Sequence, residues 1–119
     1  MDYLIHELIA KEDIQLLNEK LLKKSSHWES GKLTAGAHAA KVKNNQQLKK
    51  DSTIGIECSD LISNAILRDN LIKSFCIPKE IHGVMFSKSG INQGYGTHVD
   101  NAYMSTGRSD LSFTIFLND

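Results

Sequence analysis

Proline is almost missing from this chain of 119 residues, with Pro78 its single representative. A proline-rich linker or spacer is therefore excluded, and no other composition shift divides the sequence into separately folded parts. Cysteine is nearly as scarce. Cys58 and Cys76 stand far apart without Cys-x-x-Cys spacing, which excludes a disulfide framework and argues against a thiolate metal or redox site. Both are read as reduced thiols. An excess of charge of either sign is lacking too: fourteen basic residues balance fourteen acidic ones, so the whole-chain field favours neither nucleic acid nor a membrane surface. No apolar run approaches the length of a membrane span. The opening "MDYLIHELIAKED" is too acidic and too interrupted for a signal peptide, and the expected location is the cytoplasm.

What is present suits one domain. The chain is 40% hydrophobic, enough for a modest core at this length. Residues 12 to 24 form the first predicted helix. Glu12 and Asp13 suit its N-terminus, Ile14, Leu17, Leu21 and Leu22 repeat at helical spacing, and Lys20, Lys23 and Lys24 crowd the end where cations complement the dipole. Gly31, Gly36 and the alanines around them predict a turn and a short strand. "VKNNQQLKKDS" is polar enough to be an exposed loop or frayed helix. Residues 54 to 76 carry apolar side chains at helical turns, with Ser59 or Asp60 as the N-terminal cap and Pro78 as the stop.

Beyond Pro78 the periodicity changes. "EIHGVMFSKSG" predicts a strand ending in a glycine turn, and "DLSFTIFLND" alternates Leu111, Phe113, Ile115 and Leu117 with more polar neighbours, close to a period of two. Helices first and strands second give an α+β class. The last strand has no partner left in the sequence, and an open edge of this kind is a liability in a finished protein. Residues 1 to 119 are accordingly expected to be the N-terminal portion of one longer, truncated domain.

The chemistry-bearing stretch is "GYGTHVDNAYM". In extended backbone, residues i and i+2 point to one side, so His98 and Asp100 can direct an imidazole nitrogen and a carboxylate oxygen at the same metal ion. With one further histidine such a pair makes the facial triad of non-heme iron(II), which keeps positions open for a co-substrate and dioxygen. Zinc is the competing metal, but a zinc hydrolase site more often uses two histidines on a helix or several cysteines. Alone, His-x-Asp is a weak motif, and a loop histidine hydrogen-bonded to a nearby aspartate explains it without any metal. Gly94 and Gly96 before it permit a tight backbone, and Tyr95 offers a phenol to the site.

"YGTHVDNA" followed by "GRSDLSFTIFLND" resembles the PKHD-type hydroxylases, relatives of the prolyl 4-hydroxylases among the iron(II) and 2-oxoglutarate dioxygenases. Trp28, "GKLTAG" at 31 to 36, Ala40, "VKNNQQL" at 42 to 48 and "IP" at 77 and 78 are similar to the family's N-terminal signature in the same order. The resemblance implies N-terminal helices packed on a double-stranded β-helix, or jelly-roll, here incomplete. It implies Fe(II), 2-oxoglutarate and L-ascorbate as cofactors, with His98 and Asp100 as metal ligands and Tyr95 as a cofactor-binding residue. The implied reaction couples oxidative decarboxylation of 2-oxoglutarate to hydroxylation of a C–H bond in a peptide or small-molecule substrate.

Two departures accompany it. The family's third ligand is a downstream histidine and its co-substrate anchor a downstream arginine, whereas no histidine follows His98 here and Arg108 is the sole later arginine. His6, His27, His38 and His82 all precede the motif and none matches the family's order. Arg108, in the turn "STGRSD", is expected to pair with Asp110 or with solvent. Ser89 stands where many relatives carry a tyrosine that helps hold the co-substrate. The competing reading is a small α+β binding domain without metal, in which His98 and Asp100 merely hydrogen-bond.

Overall fold

The first helix, α1, spans Lys11–Leu22 and turns Leu17 and Leu21 into the interior, as its apolar spacing predicts. In the computed structural model, which describes residues 3–23 and 27–118, Lys23 is its C-terminal cap; Lys24, assigned to the same helix from sequence, lies outside the described residues. Three further helices follow, α2 (Ala37–Ala40), α3 (Thr53–Arg68) and α4 (Asn70–Cys76). The architecture is α+β, with small antiparallel sheets beside the helices.

The long helical region differs from its sequence reading in two places. Its cap is Ser52, not Ser59 or Asp60: the Ser52 hydroxyl accepts the Gly55 N–H at 3.0 Å. That tight first turn leaves no room at Gly55, where a Cβ would come 2.7 Å from the Lys49 carbonyl. The helix also does not run unbroken to Cys76. Asp69 adopts extended backbone and its carboxylate accepts the Ile72 N–H at 2.9 Å, so a new helix begins there. Ile77 then turns left-handed at φ 47°, and Pro78 closes the segment as expected.

"VKNNQQLKKDS" is neither an exposed loop nor a frayed helix. It forms β2 (Lys43–Asn44) and β3 (Gln46–Leu48), and β3 is the central strand of a sheet ordered β1-β3-β4, with β1 at Trp28–Ser30 and β4 at Ser87–Lys88. Trp28 lies opposite Leu48 and Gln47 opposite Ser87. Gln47, expected at the surface, is 1% exposed. Burial is tolerated because both ends of its amide are satisfied: Thr34 donates to its Oε1 at 2.6 Å, and its Nε2 donates to Glu29 at 3.2 Å. The core assembles Leu17 and Leu21 of α1, Cys58, Ile62 and Ile66 of α3, Leu48 of β3, and Phe86. Each fully buried aliphatic side chain there contributes roughly 1.5–3 kcal/mol.

The two late strands are the larger correction. Of "EIHGVMFSKSG" only Ser87–Lys88 pairs in a sheet, and among the described residues "DLSFTIFLND" joins no ladder. Its final Asp119 lies outside them. The period of two survives in part: Ile115 and Leu117 pack against the core while Phe116 is 81% exposed. Leu111 and Phe113 are exposed as well. Asn18 holds this segment from below by donating to the Leu117 carbonyl at 2.7 Å. Two minor ladders complete the fold, β2 with β5 (Gly94–Tyr95) and β6 (Tyr103–Met104) with β7 (Gly107–Arg108). No helix is long and apolar enough to cross a membrane among the described residues.

Candidate metal centre

β5 owes its position to β2. Lys43 lies opposite Tyr95 and Asn44 opposite Gly94, and one step later the Gly96 N–H donates to the Val42 carbonyl at 2.9 Å. Of the two glycines flanking Tyr95, only Gly96 is required by packing: a Cβ there would sit 2.9 Å from the Val42 Cβ, whereas one at Gly94 would meet nothing within 4 Å. The strand is short, but it fixes where the next four residues start.

From this anchor the chain turns so that the His98 imidazole stacks on the Tyr95 phenol ring, with centroids 3.6 Å apart and planes within 5°. The His98 Nδ1 lies 2.8 Å from the Gly96 carbonyl. A carbonyl oxygen can only accept, so Nδ1 carries a proton and the other ring nitrogen, Nε2, points away from Gly96. Nε2 faces the Asp100 Oδ1 at 3.3 Å. Two acceptor atoms at this separation hold together only by sharing a proton or a cation. Ligands about 2.1 Å from a metal and at right angles around it are roughly 3 Å apart, so the pair stands near the spacing of adjacent ligands. A ring nitrogen that donates to a backbone carbonyl while its partner nitrogen points at an ion is also how metal-bound histidines are oriented.

The pair is open to water, with the Asp100 side chain 69% exposed and that of His98 26% exposed. An ion pair so exposed contributes little to folding. The donor set fits a metal in two positions. Among the described residues, no group of three or more histidine, cysteine, aspartate or glutamate side chains converges. His6 is held by Asp69 at 2.8 Å. His82 donates from Nε2 to the Arg108 carbonyl at 2.9 Å and accepts the Thr106 hydroxyl at Nδ1, 2.6 Å away. His27 stands at the head of β1 and His38 within α2.

Arg108 pairs with Asp110 at 2.6 Å, as the turn suggested. Tyr103 is 77% exposed on β6. Glu57 lies against Lys20 on neighbouring helices and Glu80 beside His82, so neither acid accompanies His98. Cys58 is a core thiol whose burial pushes its pKa up, and Cys76 is likewise free.

Sequence reasoning missed Lys43. It is 5% exposed, its ammonium lies 4.8 Å from the centre of the Tyr95 ring, and burial draws its pKa below the ordinary lysine range. Lys43 and Tyr95 both line a cleft of about 620 Å³, floored by Trp28 and Phe86 and walled by residues 113 to 118. Tyr95 thus borders the cleft on one side and touches His98 on the other.

No family model matches the chain, and no solved structure matches it. Curated proteins do. It is 55% identical over 118 residues to a PKHD-type hydroxylase of Prochlorococcus marinus strain MIT 9211, covering 99% of this chain and 53% of that protein. A second, from strain MIT 9215, is 56% identical over 119 residues, covering 100% of the chain and 54% of the relative. A third, from strain MIT 9303, is 54% identical over 119 residues with the same coverage of both chains. The chain spans about half the length of the curated relatives it matches. Such identity, sustained along the whole of these 119 residues, makes the chain similar over its entire length to about half of a PKHD-type hydroxylase.

Proposed function

We propose that this chain carries the His-x-Asp part of the iron(II) site of a 2-oxoglutarate-dependent hydroxylase, with His98 Nε2 and Asp100 Oδ1 as two ligands. The observation that carries the reading is the approach of His98 Nε2 to Asp100 Oδ1 at 3.3 Å while Nδ1 is held by the Gly96 carbonyl. The hydroxylase names of the relatives support the reaction class. When bound, iron and 2-oxoglutarate supply oxidative decarboxylation coupled to C–H hydroxylation, with L-ascorbate as the accessory reductant.

The protein's share is positional. The Gly96 carbonyl accepts from Nδ1 of His98 and so turns Nε2 toward Asp100. Tyr95 fixes the plane of the ring by stacking and leaves its phenol edge for the co-substrate. Asp100, being exposed, needs no desolvation before it meets a cation. The substrate is a peptide or a small molecule.

The test is anaerobic titration of the protein, in the length its gene encodes, with Fe(II), and with Co(II) as a spectroscopic probe. His98→Ala and Asp100→Ala are each expected to weaken metal binding at least tenfold. Equal uptake by the parent and both variants would assign the pair to a simple hydrogen bond and favour a metal-free binding domain.

A further inference from the structure

Both ring nitrogens of His82 are spent on one distant element, the β6–β7 hairpin. Nε2 donates to the Arg108 carbonyl at 2.9 Å, and Nδ1 accepts the Thr106 hydroxyl at 2.6 Å. Between these two partners Gly107 sits at φ 148°, and a Cβ there would come 3.1 Å from the ring carbon Cε1 of His82. Backbone and space both call for glycine. The imidazole is only 14% exposed, so its bonds are made largely out of water, where a lost partner is hard to replace.

His82 joins two parts of unlike firmness. Ile81 and Val84 beside it pack against the core, whereas residues 101 to 108 are all exposed. Among the described residues, the side-chain hydrogen bonds that reach the hairpin from elsewhere in the protein are those of His82. The hairpin also begins where the candidate metal pair ends. The Ala102 carbonyl accepts the Ser109 N–H at 2.8 Å to close it, and only Asn101 lies between Ala102 and Asp100. His98 has its own supports in the Gly96 carbonyl and the Tyr95 ring. The Asp100 side chain, 69% exposed, faces His98 and stands directly before the hairpin.

We propose that His82 is a positioning residue for Asp100: by locking the hairpin to the core it limits how far the carboxylate swings from His98, and so raises the affinity of the pair for a divalent metal. The inference rests on the reading of His98 and Asp100 as ligands. His82 touches no metal and acts through the backbone between Asp100 and Ala102. A ligand already held near its bound geometry loses less freedom when the ion arrives.

The experiment is anaerobic Co(II) titration, followed by absorption, of the protein in its full encoded length. His82→Ala should weaken Co(II) about three- to tenfold, less than loss of a direct support of a ligand. His82→Gln, which keeps an N–H for the Arg108 carbonyl, should recover most of that loss. Thr106→Val removes one of the two bonds from an exposed turn and should weaken Co(II) by a smaller factor, which keeps the test alive if His82→Ala does not fold. Ser52→Ala, destabilising at a remote helix cap, should leave affinity unchanged. Amide exchange supplies a readout without metal: residues 101 to 108 should exchange faster in His82→Ala and Thr106→Val while α1 and α3 keep the parent rates. Unchanged Co(II) affinity in His82→Ala and Thr106→Val, or a loss that Ser52→Ala reproduces, overturns the proposal. If His98→Ala still weakens Co(II) in that case, the ligand reading survives and only the role of His82 falls; if His98→Ala binds like the parent, both fall.

Discussion

Ile62 and Ile91 are the same side chain in opposite circumstances, one 1% exposed at the centre of α3 and the other 94% exposed in the turn before β5. They stand for two regions. Up to Phe86 the chain is layered, with α1 and α3 covering the β1-β3-β4 sheet around one core. After Phe86 no described residue is buried, and the backbone is held by two-residue ladders and single side-chain contacts. The first region supplies stability and the second carries His98 and Asp100. A site on loosely held backbone works only if the stable region fixes it at a few points, and Val42, Lys43 and Asn18 are those points.

The comparison breaks most visibly at the core. Ile62→Ala should lower unfolding free energy by about 2–5 kcal/mol in denaturant titration, because a fully buried side chain leaves a cavity. Next comes the joint between the regions. Gly96→Ala forces a Cβ to within 2.9 Å of Val42 and should cost about 1–3 kcal/mol. It should also loosen the Tyr95–His98 stack, seen as faster amide exchange of the loop with the core unchanged. Ser52→Ala removes the cap of α3 and should cost about 1 kcal/mol.

Acid sharpens the picture at one residue. The His6 hydrogen bond, then the Ile72 N–H, hold the Asp69 carboxyl below its ordinary pKa. A depressed folded-state value means that its contribution is complete above the ordinary carboxylate range and is lost as pH falls through the lowered value. The stability gap between the parent and Asp69→Ala should therefore shrink on acidification below about pH 4, and a constant gap would remove the ionised carboxylate from the account. Smallest of all are the site variants: His98→Ala and Asp100→Ala should shift unfolding by less than about 0.5 kcal/mol even as, on the proposed reading, they weaken metal binding at least tenfold. A large loss of stability from either would make the pair structural.

What the sequence disclosed followed from patterns that local physics enforces. α1 was legible because Leu17 and Leu21 recur on one face, and His98 and Asp100 because a spacing of two is a statement about direction. The pairing of Arg108 with Asp110 was legible for the same reason. Long-range satisfaction was not. Nothing local says that Gln47 will find Thr34 and Glu29, so a polar run looked like an exposed loop and proved to be a central strand. The Asp69 break was readable in principle, since aspartate before "NLI" is a helix-capping signal, but the continuing apolar spacing masked it. "LSFTIFL" shows the converse: a period of two describes which way side chains face, whereas a strand also needs a neighbour for its backbone. Lys43 escaped notice because a lysine in a polar run gives no hint that Tyr95, far along the chain, will lie opposite it.

The order of the sheet has a consequence for how the molecule is made. β1 and β3 are separated only by residues 31 to 45, which hold α2 and β2, and can pair as soon as both have left the ribosome. β3, however, keeps its other edge open until α3, α4 and the segment leading to β4 have been synthesised, and the ladder that anchors the metal pair closes later still, when Tyr95 reaches Lys43. Longer loops close more slowly. The nascent chain therefore passes through an interval in which the apolar face of α3 is present and Phe86 is not yet available to cover it, and His98 and Asp100 come together only after that core can close.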